Sequence, residues 1–71
     1  MRHWLIGIRE AKGFSQAYVS RAIGVKQPTY WEYEHGDTTP SPKIARRIGT
    51  LLGFDWTLFF PDDDEKERKR A

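Results

Sequence analysis

Very little in these 71 residues could make or break a covalent bond. There is no cysteine, so no thiolate nucleophile and no disulfide framework. The two histidines, His3 and His35, lack partners at metal-ligand spacing, and each reads as structural or solvent-facing. Asp62, Asp63 and Asp64 form an acidic run without the alternating spacing and closing glutamate of a calcium loop, so solvation explains it better. No Ser/His/Asp set and no phosphate-cradling glycine loop is present; an enzyme, a metal and a cofactor all go unsupported. What remains are residue types suited to recognition, among them Gln16 on one segment and Gln27, Pro28, Trp31, Glu32 and His35 on the next. An amide donates and accepts side by side, a carboxylate only accepts, and a ring packs.

Those residues need a scaffold, and the apolar spacing supplies short helices. Leu5, Ile8 and Ala11 step at helical spacing, and Gly13 stops that first helix. Gly7 inside it is a local weakness of roughly 1 kcal/mol against alanine. Ser15 can N-cap a second helix with Val19, Ala22 and Ile23 as its apolar stripe, ended by Gly24. Pro28 marks the first turn of a third helix, where its missing N–H costs little. Tyr30 and Tyr33 are the inward positions of that helix, and Gly36 closes it. After a loop from Asp37, Ser41-Pro42 starts a fourth helix that buries Ile44, Ala45, Ile48, Leu51 and Leu52. Asp55 can cap a fifth, short one carrying Trp56, Phe59 and Phe60. No β-alternation and no internal repeat appears. The expected fold is all-α, a compact five-helix bundle.

Length and charge narrow the function. A chain of this size is one domain, with little room for the layered scaffold and deep pocket of most enzymes. Residues 1–60 hold eight Lys/Arg against five acids, while residues 61–71 hold four against five. The mild basic excess of the first part suits a polyanion. Asp62 to Arg70 lack apolar side chains, and residues 61–71 are expected to be a charged, disordered tail beyond a domain of residues 1–60. Nothing approaches membrane-spanning length, and a cytoplasmic protein is expected.

The segment from Gln16 to Tyr33 carries the most specific pattern. Two helices crossing steeply need a small residue at the contact, here Ser20, and a residue tolerant of positive φ in the turn, here Gly24. Val25 plugs the turn, and Tyr30 and Tyr33 face inward. With these stretches the chain resembles the Cro and phage-repressor type of helix-turn-helix domain, also called the xenobiotic-response-element type. The matching residues are Ile8-Arg9-Glu10-Ala11-Lys12-Gly13-Phe14-Ser15-Gln16, Ile23-Gly24-Val25, Tyr33-Glu34-His35-Gly36 and Leu51-Leu52-Gly53-Phe54.

The resemblance implies a lambda-repressor-like bundle whose helix-turn-helix covers about residues 16–35, with the third helix in the major groove of duplex DNA. It further implies that the first turn of the second helix rests on a phosphate, and that Arg9 and Glu34 form an ion pair joining the first and third helices. With Tyr30 and Tyr33 inward, Gln27, Pro28, Trp31, Glu32 and His35 face outward. Gln27 can pair bidentately with adenine, Pro28 can touch a thymine methyl, and Glu32 can accept from cytosine N4 or pair with a base-contacting cation. Trp31 is costly to expose and suits the sugar-phosphate backbone or a protein interface. Ser15 and Gln16, with Lys26, Thr38, Thr39 and Lys43, are the phosphate candidates, and Arg21 and Arg46 weaker ones.

The function expected on this reading is a sequence-specific transcriptional regulator, a repressor, with no small-molecule ligand. A homodimer is expected through Trp56, Leu58, Phe59 and Phe60, which cannot all face one small core. The competing reading is an antitoxin-like or anti-regulator interaction module on the same fold, favoured by Trp31, Glu32 and the weakly basic loop after Gly36.

Overall fold

The computed structural model describes residues 1–61. Four α-helices follow in chain order: α1 (His3–Ala11), α2 (Gln16–Ile23), α3 (Gln27–His35) and α4 (Pro42–Leu52). A single 3-10 turn, Trp56–Phe59, closes the described chain. The domain is all-helical, with no strand among the described residues. The fifth helix expected from the sequence is therefore only this turn. Four residues suit the tighter 3-10 winding, and Asp55 fixes its start by accepting from the Thr57 N–H and hydroxyl at 3.0 and 2.8 Å.

Local chemistry explains where the helices begin and end. Ser15 and Ser41 cap α2 and α4 by accepting from the backbone N–H three residues on, at 3.0 and 3.3 Å. Between α2 and α3 the chain must reverse within three residues, and Gly24 does this at φ +81°. Any side chain there would be strained in the left-handed region. Pro28 sits in the first turn of α3, which has no side-chain cap because Lys26 occupies the capping position.

α2 packs on both α3 and α4, α1 packs on α3, and α4 carries the closing turn. Their shared core is Leu5, Val19, Ile23, Tyr30, Tyr33, Ala45, Ile48, Leu52 and Phe59. Ile8, Val25, Ile44 and Leu51 lie half-buried around it. Two positions differ from the apolar stripes expected above: Ala11 and Ala22 are exposed. In α2 the third inward position is Ser20, whose buried hydroxyl donates to the Ala17 carbonyl at 2.9 Å. A small residue is needed at this crossing, and the hydroxyl finds its partner within its own helix.

Gly49, buried on α4, was not singled out in the sequence, and it sets the path of the chain end. A Cβ there would meet the Phe54 carbonyl oxygen at 2.8 Å and the Trp56 Cβ at 3.2 Å. The 3-10 turn lies this close to α4, and Phe59 is thereby delivered into the core, edge-on to Trp4 at 5.1 Å between centroids. That corrects the expected dimer surface. Phe59 is enclosed by the protein's own Trp4, Phe54 and Arg2 and offers nothing to a partner. Trp56 and Phe60 are half-buried, and Leu58 alone of the four is exposed, at 49%. The acidic run Asp62–Asp64 and the expected disorder of the tail lie outside the described residues.

Candidate nucleic-acid interface

The back of α3 is locked by a polar network set into the core. Glu34 is 1% exposed and receives Arg9 Nε at 2.6 Å and Nη2 at 3.3 Å, a two-pronged ion pair joining α1 to α3. Gln16 Nε2 donates to the same carboxylate at 2.9 Å, which ties in the start of α2. The remaining Arg9 prong donates to the Phe14 carbonyl at 2.8 Å. Tyr30 is fully buried beside this cluster, its hydroxyl near the Glu34 carboxylate without meeting hydrogen-bond geometry. Burial acts to raise the Glu34 pKa, but the donors from Arg9 and Gln16 outweigh it and hold the carboxyl below its ordinary range. Tyr30 shifts far up, through burial first and the adjacent carboxylate second. Arg9 shifts up because its hydrogen bonds to Glu34 outweigh its own desolvation. The cluster therefore stays ionised as a pair at neutral pH, with Tyr30 neutral.

A second clamp was invisible in the sequence. The Arg2 backbone N–H donates to the Glu34 carbonyl at 2.7 Å, and its guanidinium reaches the Tyr33 and Thr38 carbonyls and the Thr39 hydroxyl. An N-terminal arginine carries no periodic signal; only the fold shows that it straps the end of α3 and the following loop. Arg47 acts similarly on α2, donating to the Ile23 carbonyl at 3.1 Å near the helix's negative end.

With its back held, α3 turns the opposite side to solvent. Gln27, Pro28, Trp31 and Glu32, together with Gln16 from α2, line one open groove of about 450 Å3. The structure thus brings all four base-contact candidates and one phosphate candidate to a single surface. Trp31 is 42% exposed, and its ring stacks on His35 at 3.5 Å between centroids and 23° between planes. Among the described residues Glu32 has no salt-bridge partner. The other phosphate candidates are less uniform. Ser15 is exposed at the start of α2, its oxygen already accepting the capping N–H. Lys26 is exposed at the uncapped, electropositive start of α3, and Lys43 is exposed in the first turn of α4. Thr38 and Thr39 are exposed in the loop that Arg2 straps.

The sequence family described as "Helix-turn-helix" matches residues 6–59, spanning every element that builds this surface. The chain belongs to the Cro and phage-repressor type of helix-turn-helix family. It is similar to the protein named "Uncharacterized HTH-type transcriptional regulator YqaF" of Bacillus subtilis (strain 168). Identity is 44% over 62 residues, covering 87% of this chain and 82% of that relative. No solved structure matches. Within this helix-turn-helix, α2 is the supporting helix and α3 the one whose free side is presented. Among the described residues no cluster of His, Cys, Asp and Glu could hold a metal ion, and no helix is long and apolar enough to cross a membrane.

Proposed function

We propose that this protein is a sequence-specific duplex-DNA-binding transcriptional regulator, acting in the cytoplasm as a repressor, with residues 27–35 set into the major groove. One observation carries the reading. The side of α3 that is not locked into the core is open, and Gln16, Gln27, Pro28, Trp31 and Glu32 line it together. The N-terminal part of a recognition helix lies nearest the base edges, which gives Gln27 the bidentate contact to adenine and Pro28 an apolar contact to a thymine methyl.

Phosphate contacts then fall to the flanks. The first-turn N–H groups of α2, with Ser15 and Gln16, point out of the helix end and favour an anion. Gln16 uses one amide hydrogen on Glu34 and keeps its other hydrogen and its oxygen for the backbone of the duplex. Lys26, Lys43, Thr38 and Thr39 extend the contact on the side of α3 and the loop. A module this small buries modest area on DNA, so two copies per operator are expected, with half-sites about 34 Å apart. The exposed Leu58, flanked by Trp56 and Phe60, is the apolar surface left for that contact.

Selection of preferred duplexes from a random pool, followed by affinity measurement across a salt series, tests the reading. A regulator of this kind enriches a defined sequence and loses affinity steeply as salt rises, because phosphate contacts release counterions. No enrichment, with negligible binding at every salt concentration, would favour the interaction-module reading and overturn this one.

A further inference from the structure

The groove contains a carboxylate that plain adenine and thymine readout does not use. Glu32 stands on α3 one turn from Pro28 and next to Trp31, and all three line the same groove. A carboxylate pointing at DNA meets a field of phosphates and is repelled unless a donor waits for it. Among the described residues no lysine or arginine pairs with Glu32, and a base-edge amino group is a donor that the major groove supplies. Two bases present an amino group in the major groove, cytosine through N4 and adenine through N6. Adenine sets its N7 acceptor beside that amino group, where a carboxylate is disfavoured. Cytosine has no such acceptor; the atom beside its N4 on the groove edge is C5, which bears only hydrogen. Glu32 therefore selects cytosine, and whatever lies beside Glu32 faces C5.

Two of the groups that line the groove with it are apolar, Pro28 and Trp31, and Gln16 and Gln27 complete the lining. Trp31 presents an indole that is 42% exposed, with the His35 ring stacked on one face at 3.5 Å between centroids. Pro28 adds a ring that has no N–H to offer. An acceptor flanked by two apolar faces complements an amino group flanked by a methyl. Resting on the DNA-binding reading above, we propose that this groove recognises 5-methylcytosine, with Glu32 accepting from N4 and with Pro28 and Trp31 enclosing the C5 methyl in place of the thymine methyl given to Pro28 there. Thymine carries the same methyl but places an acceptor, O4, where cytosine has N4, so Glu32 rejects it. The order of preference at this base is 5-methylcytosine, then cytosine, then thymine.

The test uses the duplex selected from the unmodified pool, with each cytosine replaced singly by 5-methylcytosine or thymine. Affinities are measured at one salt concentration for the full chain, for Glu32→Gln, and for the combined Pro28→Ala, Trp31→Ala variant. All these positions are outside the buried core, and far-ultraviolet circular dichroism confirms that each variant keeps its helices. At one cytosine per half-site, methylation tightens binding about fourfold, the worth of one buried methyl group. Thymine there weakens it by at least about fivefold, the lower end of discrimination by one polar contact. The combined variant makes methylated and plain cytosine equal while still preferring both over thymine. Glu32→Gln, able to donate to O4, brings thymine up towards cytosine and keeps the methyl gain. Methylation that is neutral or harmful at every cytosine overturns the proposal, as does a methyl gain that survives in the combined variant. In both cases binding to the unmodified duplex would leave the regulator reading standing. Failure to bind any duplex overturns both.

Discussion

The two sides of α3 differ in how they treat polarity. On the back, Glu34 is surrounded by Arg9, Gln16 and the Tyr30 ring, every group belonging to the protein itself. On the front, Glu32 sits two residues earlier with the same carboxylate and no cation paired to it among the described residues. A buried charge must be satisfied within the fold or it costs several kcal/mol, whereas a half-buried one on an open groove, as Glu32 is, can wait for a ligand. The contrast between two glutamates on one short helix separates what holds the domain together from what it offers outward.

Substitutions should therefore split cleanly between stability and binding. The largest effect is expected from Arg9→Met, which strands Glu34 and lowers unfolding free energy by about 3–5 kcal/mol in urea titrations. Adding Glu34→Leu should return much of that loss. If Arg9→Met costs less than about 1 kcal/mol, the back of α3 is not held by this pair, and the distinction between the two sides weakens.

Acid tests the same network without mutation. The Glu34 carboxyl has its pKa lowered in the folded protein, so its contribution is complete above the ordinary glutamate value of about 4.3. As pH falls below that value and through the folded one, the unfolded state takes up its proton first and the stabilisation disappears. Thermal melts should show this decline in the wild type. In the Arg9→Met, Glu34→Leu background the decline should be shallower, and equal slopes would assign acid sensitivity to other carboxylates.

The front is probed by Gln27→Ala. Specific affinity should fall by about 1–3 kcal/mol, with non-specific binding retained and unfolding free energy within about 0.5 kcal/mol of wild type. Equal loss on all sequences would reduce Gln27 to a positioning contact. The smallest effect belongs to a site on neither side. Gly7 lies inside α1, and a Cβ there meets nothing within 4 Å. Gly7→Ala should raise stability by up to about 1 kcal/mol with no change in DNA affinity, measured by urea unfolding and by titration with the selected duplex.

The presence and order of the four α-helices were legible from one chain because their signals are local. Serine caps, glycine stops and a proline in a first turn act within a few residues, and apolar spacing decides which side of α3 turns inward. That spacing placed Tyr30 and Tyr33 in the core and left Gln27, Pro28, Trp31 and Glu32 on the free side, a question of helical phase alone. Helix-turn-helix membership followed from several such local features falling at compatible distances along the chain.

Other features depend on which distant segments meet, and no local pattern encodes that. The strap made by Arg2, the donation from Gln16 to Glu34 and the close pass of the chain over Gly49 all join residues far apart in sequence or sealed by contact with another element. The aromatic segment at the end shows the limit most directly. Its composition implied more apolar surface than a small core could take, yet the gap over Gly49 let the 3-10 turn tuck Phe59 inside and leave Leu58 out. Sequence determined the helices and their phases, because those are set by neighbours a turn away. Tertiary packing decided which charged and aromatic groups were consumed inside and which were left to act, because burial is a property of the assembled surface.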